Sequence, residues 1–362
     1  MSRVDELFLK LNSKAKYEIA KSGVHWEPIK RIPFSSARMN YCLYGGIPLG
    51  CVTEIFGSEG SGKTLSSLDL VSNAQKLYPE RDVIFVDVEG TFDPRWADTL
   101  GVNIDDLKYV SPREETAEQI FQIILDLLED DQTNISLIVL DSLAPMISAQ
   151  AYEKDMEGST YGGISKPLTL FSNKVAPLLR KKNCALIAIN QVRDDMNSMY
   201  GGTTTPGGRA WKHVCSVRLE CRRSDYFDAN GNIVSASTEN PAGHFVKVRV
   251  VKTKICKPDR KVGFYALNYI TGIDKVLDLV DVGVKLGVFR QGGAWYYAAD
   301  ENGEEQKFQG KSKFRAYMET NEEFYKLQES RINELILPEN DIRKSEELRK
   351  KLESDVPQDR EV

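Results

Sequence analysis

Eight residues, GSEGSGKT at positions 57–64, have the composition and spacing of a device for holding phosphate. Gly57, Gly60 and Gly62 let the backbone wrap closely and turn its N–H groups inward, and the helix expected to follow adds its favourable amino-terminal field. Ser58, Glu59 and Ser61 complete the loop, Lys63 reaches the β and γ phosphates of ATP, and Thr64 offers a hydroxyl to Mg2+. The pattern GxxxxGK[ST] is complete and follows the strand predicted over Cys51 to Phe56, the context it needs. The alternative is a turn rich in small residues.

Three further polar residues end apolar runs. Asp141 closes LIVLD, so four apolar residues drive its carboxylate to the tip of a buried strand, where it can hold Mg2+ through water beside Thr64. Glu89, in FVDVEG, has the chemistry to activate a water against the γ phosphate. Gln191 follows ALIAIN and precedes a long loop; an amide there gains a partner in the γ phosphate and loses it after hydrolysis, so nucleotide would order or release the loop. Asp141 and Glu89 each also read as an ordinary cap.

These residues need a sheet to hold them. DVIFVDVEG, ISLIVLDSLAP and CALIAINQV are short apolar runs with polar ends, as in strands of a buried parallel sheet whose carboxyl ends carry the chemistry. Between them, ETAEQIFQIILDLLED and LTLFSNKVAPLLRKK carry apolar residues three and four apart, which predicts helices covering the sheet. The expected fold class is α/β, with a short amino-terminal arm at 1–31, a core at 32–269, a small α/β domain at 270–336 and a charged helical or disordered tail at 337–362. The stretch 192–209, VRDDMNSMYGGTTTPGGR, breaks the alternation, and loops beyond about 12–15 residues in a compact domain are more often functional than neutral.

The 362 residues are 41% hydrophobic and 28% charged with net charge -5, an ordinary globular composition that excludes fibrous and disordered classes. The sign does not exclude nucleic acid, because a local basic stripe binds phosphate on a chain acidic elsewhere. Six cysteines without a CxxC pair and three histidines argue for packed thiols rather than a metal cluster. No run approaches the roughly 18 apolar residues of a membrane span, and a cytoplasmic location, in a bacterium or a phage-infected host, is expected.

The succession YGGIPLGCVTEIFGSEGSGKT, FVDVEGTFDPRWADTLGV, LIVLDSLAP, ALIAINQV, TTTPGGRAWKHVCSVRLECRR and VKVRVVKTKICKP resembles the bacterial RecA-type recombinases over residues 30–270. The short arm suits a bacteriophage member. The resemblance implies a RecA-like phosphate-loop ATPase core, helical filaments on single-stranded DNA with ATP at subunit interfaces, search for a homologous double-stranded partner, and strand exchange, with single-strand-binding and loading proteins as further partners. It implies that Glu89 is the catalytic glutamate and Gln191 the nucleotide sensor, that Trp96 stacks on adenine, and that Asp93 lies near the exocyclic amine of the base. It also implies that Lys252 and Lys254 cross to the neighbour's γ phosphate. Spacing by two puts both lysines on one strand face, where a cation brought by the next subunit stabilises transition-state charge. A solvated basic edge is the alternative, since KVRVVKTKICKPDRK holds seven bases in fifteen residues.

Two stretches look like the DNA-binding loops of that family, 153–167 and 192–209. Backbone N–H groups and hydroxyls there grip phosphate without reading bases. Lys166, Lys174, Arg193 and Arg209 are the expected phosphate contacts, Gly207 and Gly208 give close backbone approach, and Met199 or Tyr200 is a wedge between bases or a packed side chain. The chain departs from the family at Asp194 and Asp195, which should repel phosphate, and at His213, where phenylalanine is usual at a position coupling neighbours. Two rival readings stand beside a recombinase: a ring-forming DNA motor with the same core, and an ATP-switched scaffold that hydrolyses ATP indifferently to DNA.

Overall fold

The computed structural model describes residues 2–14, 29–153, 163–194, 203–228 and 233–337. The chain divides into two units, 1–30 and 31–362. In the first, α1 (Arg3–Asn12) begins with a reciprocal cap, Ser2 accepting from the Asp5 N–H while the Asp5 side chain accepts from Ser2 N. Its Val4, Leu7, Leu9 and Leu11 are exposed. The helical arm expected over 1–31 is therefore seen as helix only in this segment, and residues 15–28 lie outside the described residues.

The second unit opens with a small pair, β1 (Arg31–Ile32) and β2 (Ile47–Pro48), bracketing α2 (Ala37–Leu43). The core then alternates: β3 (Val52–Gly57), α3 (Lys63–Leu77), β4 (Asp82–Asp87), α4 (Pro94–Thr99), β5 (Leu107–Val110), α5 (Ala117–Glu129) and β6 (Ile135–Asp141). After the one-turn α6 (Ala149–Tyr152) come α7 (Ser165–Lys182), β7 (Ala185–Gln191), a ribbon of β8 (Arg193–Asp194) and β9 (Thr203–Thr204), α8 (Gly208–Val214) and β10 (Val217–Phe227). The short β11 (Ile233–Val234) leads to β12 (Gly243–Thr253), β13 (Val262–Asn268) and β14 (Gly272–Ile273).

Ten of these strands form one sheet in the order β14-β13-β12-β10-β3-β7-β6-β4-β5, with β11 on β10. From β10 to β5 every pairing is parallel, and from β10 through β12 and β13 to β14 every pairing is antiparallel. β3, β6 and most of β7 are buried on both faces, as a covered parallel sheet requires. One core cluster packs α3 against β3, β4 and β12 through Leu65, Leu68, Val71, Ile55, Phe85 and Val246; another packs α5 and α7 on the opposite face.

The carboxy-terminal segment contains α9 (Leu277–Leu286), a three-stranded antiparallel sheet of β15 (Arg290–Gly292), β16 (Trp295–Ala299) and β17 (Glu305–Gln309), then α10 (Lys311–Thr320) and α11 (Glu322–Ile336). Phe289, Phe314, Met318, Phe324 and Ile332 build a third core cluster that also includes Ala37 of α2. Asp278 ties α9 to the start of α2, accepting from the Ser36 hydroxyl and from the Arg38 N–H at 2.9 Å. Among the described residues no helix is long and apolar enough to cross a membrane.

Candidate functional site

The phosphate loop joins β3 to α3. Gly62 is held at φ +88°, and a Cβ there would stand 2.9 Å from Val246 of β12, so both conformation and packing require glycine. Lys63, buried as the first residue of α3, folds back to donate to the Ser58 carbonyl at 2.7 Å, and burial pulls its ammonium pKa below the usual range. The loop also contains Ser61, 1% exposed, whose hydroxyl has no partner among the described residues. A buried donor without a protein partner suits a loop that receives phosphate oxygens.

The expected Mg2+ pair comes together across the sheet, Thr64 donating its hydroxyl to Asp141 Oδ2 at 2.7 Å. Burial, with the charges of Glu89 and Asp87 adding to it, pushes Asp141 up to about 7, although the Thr64 hydroxyl pulls the other way. A buried carboxylate and a hydroxyl are hard oxygen donors that fit Mg2+, which is commonly held by one or two carboxylates plus the substrate's phosphates. Among the described residues there is no group of three or more His, Cys, Asp or Glu placed to hold a metal.

Glu89 stands just beyond the end of β4. Its Oε1 accepts from Ser142 Oγ at 2.5 Å and from Gln191 Nε2 at 3.4 Å. The two candidates for water activation and nucleotide sensing therefore touch. Asp87 shapes the turn that carries Glu89, accepting from the N–H groups of Gly90 and Phe92 and from the Tyr109 hydroxyl. Asp93 caps α4 by accepting from Arg95 N, and Trp96 sits half-buried against the core.

The second candidate loop is pinned at both ends. Arg193 pairs with Thr204 and Asp194 with Thr203 in the β8–β9 ribbon. Gly207 takes φ +108°, and a Cβ there would meet Leu168 at 2.6 Å, while Gly208 begins α8. Arg209 is exposed, and Arg193 is exposed and donates to the Ala144 carbonyl at 3.5 Å. Lys166 lies in the first turn of α7 rather than in the loop before it, and Lys174 lies in the middle of the same helix, where the periodicity places it; both are exposed. Asp195, Met199 and Tyr200 lie outside the described residues, as do 154–162 of the first loop.

Lys252 and Lys254 converge, as their spacing requires, but on this chain's own backbone. Lys252 Nζ donates to the Lys212 and His213 carbonyls at 2.5 and 3.0 Å, and Lys254 Nζ donates to the His213 carbonyl at 2.6 Å. Two cations at the carboxyl end of α8 satisfy its last carbonyls and oppose its dipole.

Sequence reasoning missed the group beneath this loop. Glu54, fully buried in β3, accepts from Arg218 Nε at 2.5 Å, Asn190 Nδ2 at 2.9 Å and Trp211 Nε1 at 3.1 Å. Arg218 reaches on to the Thr205 hydroxyl, and Asn190 to the Pro206 carbonyl. This network joins the strand before the phosphate loop to the strand before Gln191 and to the stem of the second loop. The signal available in VTEIF was an acid inside an apolar strand, which demands buried partners.

Comparison with known proteins agrees with this geometry. The model of the RecA N-terminal domain matches residues 15–274, and that of the RecA C-terminal domain matches residues 277–337. The chain belongs to the RecA family. It is 36% identical to Protein RecA of Cereibacter sphaeroides over 278 residues, 76% of each chain. It is 34% identical to Protein RecA of Aquifex aeolicus over 297 residues, covering 82% of this chain and 81% of that one. With Protein RecA of Streptomyces coelicolor it shares 36% over 298 residues, 82% of this chain and 74% of the other. The chain is thus a RecA-type ATP-binding recombination protein with a RecA-like α/β core, and membership in that family carries ATP hydrolysis.

Proposed function

We propose that this protein is an ATP-dependent homologous recombinase, which assembles into an open helical filament on single-stranded DNA, searches homologous duplex DNA and exchanges strands. The observation that carries the reading is the convergence at one sheet edge. The Thr64–Asp141 pair, the Glu89–Gln191 contact and the roots of both candidate DNA loops all lie at the carboxyl ends of β4, β6 and β7 beside the phosphate loop.

On this reading the loop backbone from Gly57 to Gly62 and the Ser61 hydroxyl hold phosphate oxygens, and Lys63 leaves the Ser58 carbonyl for the β and γ phosphates. Thr64 and, through water, Asp141 hold Mg2+, which when bound neutralises charge on those phosphates. Glu89 takes the proton of the attacking water, and Gln191 exchanges between Glu89 and the γ phosphate. Trp96 stacks on the base and Asp93 approaches its amine. Lys166, Lys174, Arg193 and Arg209 neutralise DNA phosphates, with Met199 or Tyr200 as wedge and Gly207 and Gly208 allowing close approach.

Lys252 and Lys254 exchange the α8 carbonyls for the next subunit's γ phosphate. The division into arm 1–31, core 32–269, domain 270–336 and tail 337–362 assigns assembly to the arm and catalysis to the core. A strand-exchange assay with circular single-stranded DNA and homologous linear duplex tests the whole. Joint molecules are expected with ATP and homologous duplex, and their absence under conditions of full DNA binding and ATP turnover overturns the reading in favour of a motor.

A further inference from the structure

Two strands of the antiparallel extension reach the phosphate loop from behind. Val246 of β12 and Tyr265 of β13 are cross-strand partners, and both stand against Gly62, the residue before Lys63. The Tyr265 hydroxyl lies 2.7 Å from Ser66 Oγ and 3.4 Å from the Gly62 carbonyl. Ser66 Oγ lies 2.9 Å from the same carbonyl, which also accepts the Ser66 N–H at 2.9 Å. Tyr265 and Ser66 are each only 1% exposed, so the three oxygens meet away from solvent.

Two hydroxyl protons serve these three oxygens. Whichever way the Tyr265–Ser66 bond runs, one proton is left for the Gly62 carbonyl: that of Ser66 when Tyr265 donates to Ser66, and that of Tyr265 in the reverse order. Burial raises the Tyr265 phenol pKa well above its ordinary range, so the hydroxyl keeps its proton.

The Gly62 carbonyl and the Lys63 N–H belong to one planar trans peptide and point in opposite directions. With the carbonyl held on the α3 side, the Lys63 N–H is aimed away from the helix, among the amino-terminal donors that α3 leaves without an intrahelical partner. A hydrogen bond to the carbonyl also polarises the peptide and strengthens its N–H as a donor.

We propose that Tyr265 and Ser66 are positioning residues of the phosphate loop, holding the Gly62 carbonyl against α3 so that the Lys63 N–H faces the phosphates of ATP. The inference rests on the proposed phosphate contacts of residues 57–64. Both hydroxyls act through Gly62 and touch no nucleotide. The far edge of the sheet thereby becomes part of the nucleotide site, through the strand pair that also carries Lys252 at the end of β12.

The test compares the full chain with Tyr265→Phe, Ser66→Ala and the double variant, measuring the Kd for a fluorescent ADP, steady-state ATP hydrolysis and melting temperature. Each single change leaves one hydroxyl near the carbonyl and should raise Kd and KM by about two- to fourfold; the double change removes both and should raise them by roughly tenfold. Because the contact is made to bound nucleotide throughout the cycle, kcat at saturating ATP should stay within about twofold of the parent. A double variant with a lower melting temperature but unchanged Kd and KM overturns the proposal, leaving the hydroxyls a part of the packing alone. A fall in kcat at unchanged KM overturns it too, since the pair would then act on the chemistry. Should the double variant melt below the assay temperature, Tyr265→Phe alone decides by the same readings. If the parent chain fails to bind ADP, the nucleotide reading of the loop fails; if it binds and the variants bind equally well, only the role of Tyr265 and Ser66 fails.

Discussion

Glu89→Gln is expected to lower DNA-stimulated kcat by roughly 10²–10⁴-fold, the usual contribution of a positioned general base, while ATP and single-stranded DNA still bind. The substitution is nearly isosteric. It removes the basic oxygen that accepts from Ser142 and Gln191 and leaves an amide oxygen able to keep one of those bonds. On the proposed reading phosphate binding rests on other groups, the loop backbone, Lys63 and Ser61, none of which hydrogen-bonds the Glu89 carboxylate among the described residues. Single-turnover hydrolysis with parallel nucleotide titration separates the two effects. Loss of binding together with turnover would show that Glu89 supports the site rather than the chemistry.

The paired substitution Lys252→Ala and Lys254→Ala should reduce turnover by about 10²–10³-fold, as expected for removing charge stabilisation from a transferring phosphoryl group. Its distinguishing feature is complementation. A chain without these lysines keeps an intact phosphate loop, and a Lys63→Ala chain keeps the lysines. In a head-to-tail assembly of equal amounts, about a quarter of interfaces combine an intact loop with intact lysines, so mixing two inactive proteins should restore measurable hydrolysis. Absence of recovery in mixed assemblies on DNA would mean that the lysines serve their own chain by capping α8, the contact made in the structure.

The turns and strand ends that carry the candidate site are legible in the sequence because their signals are local. Gly62 and Lys63 stand at the turn from a buried strand into a helix, and Asp141 and Gln191 end apolar runs, so each position followed from a few neighbouring residues. The parallel half of the sheet was legible for the same reason. What pairing brings together was not. The Glu54 network and the Ser142 contact join residues 53 to 164 positions apart, and no local periodicity encodes such a meeting. The glycines before Lys166 suggest a loop, whereas the helix already begins at Ser165. The spacing of Lys252 and Lys254 predicts that they converge, but the carbonyls they meet follow only from α8 ending beside them.

On the proposed function, nucleotide chemistry and DNA are coupled through the carboxyl ends of β4, β6 and β7. The rate of ATP hydrolysis by the full chain with and without single-stranded DNA at fixed salt tests that coupling most directly. A DNA-dependent rise of at least about tenfold, equivalent to about 1.4 kcal/mol of barrier, is the predicted result. An identical rate in both would contradict the claim and leave an ATP switch whose glycine-rich loops have no part in its turnover.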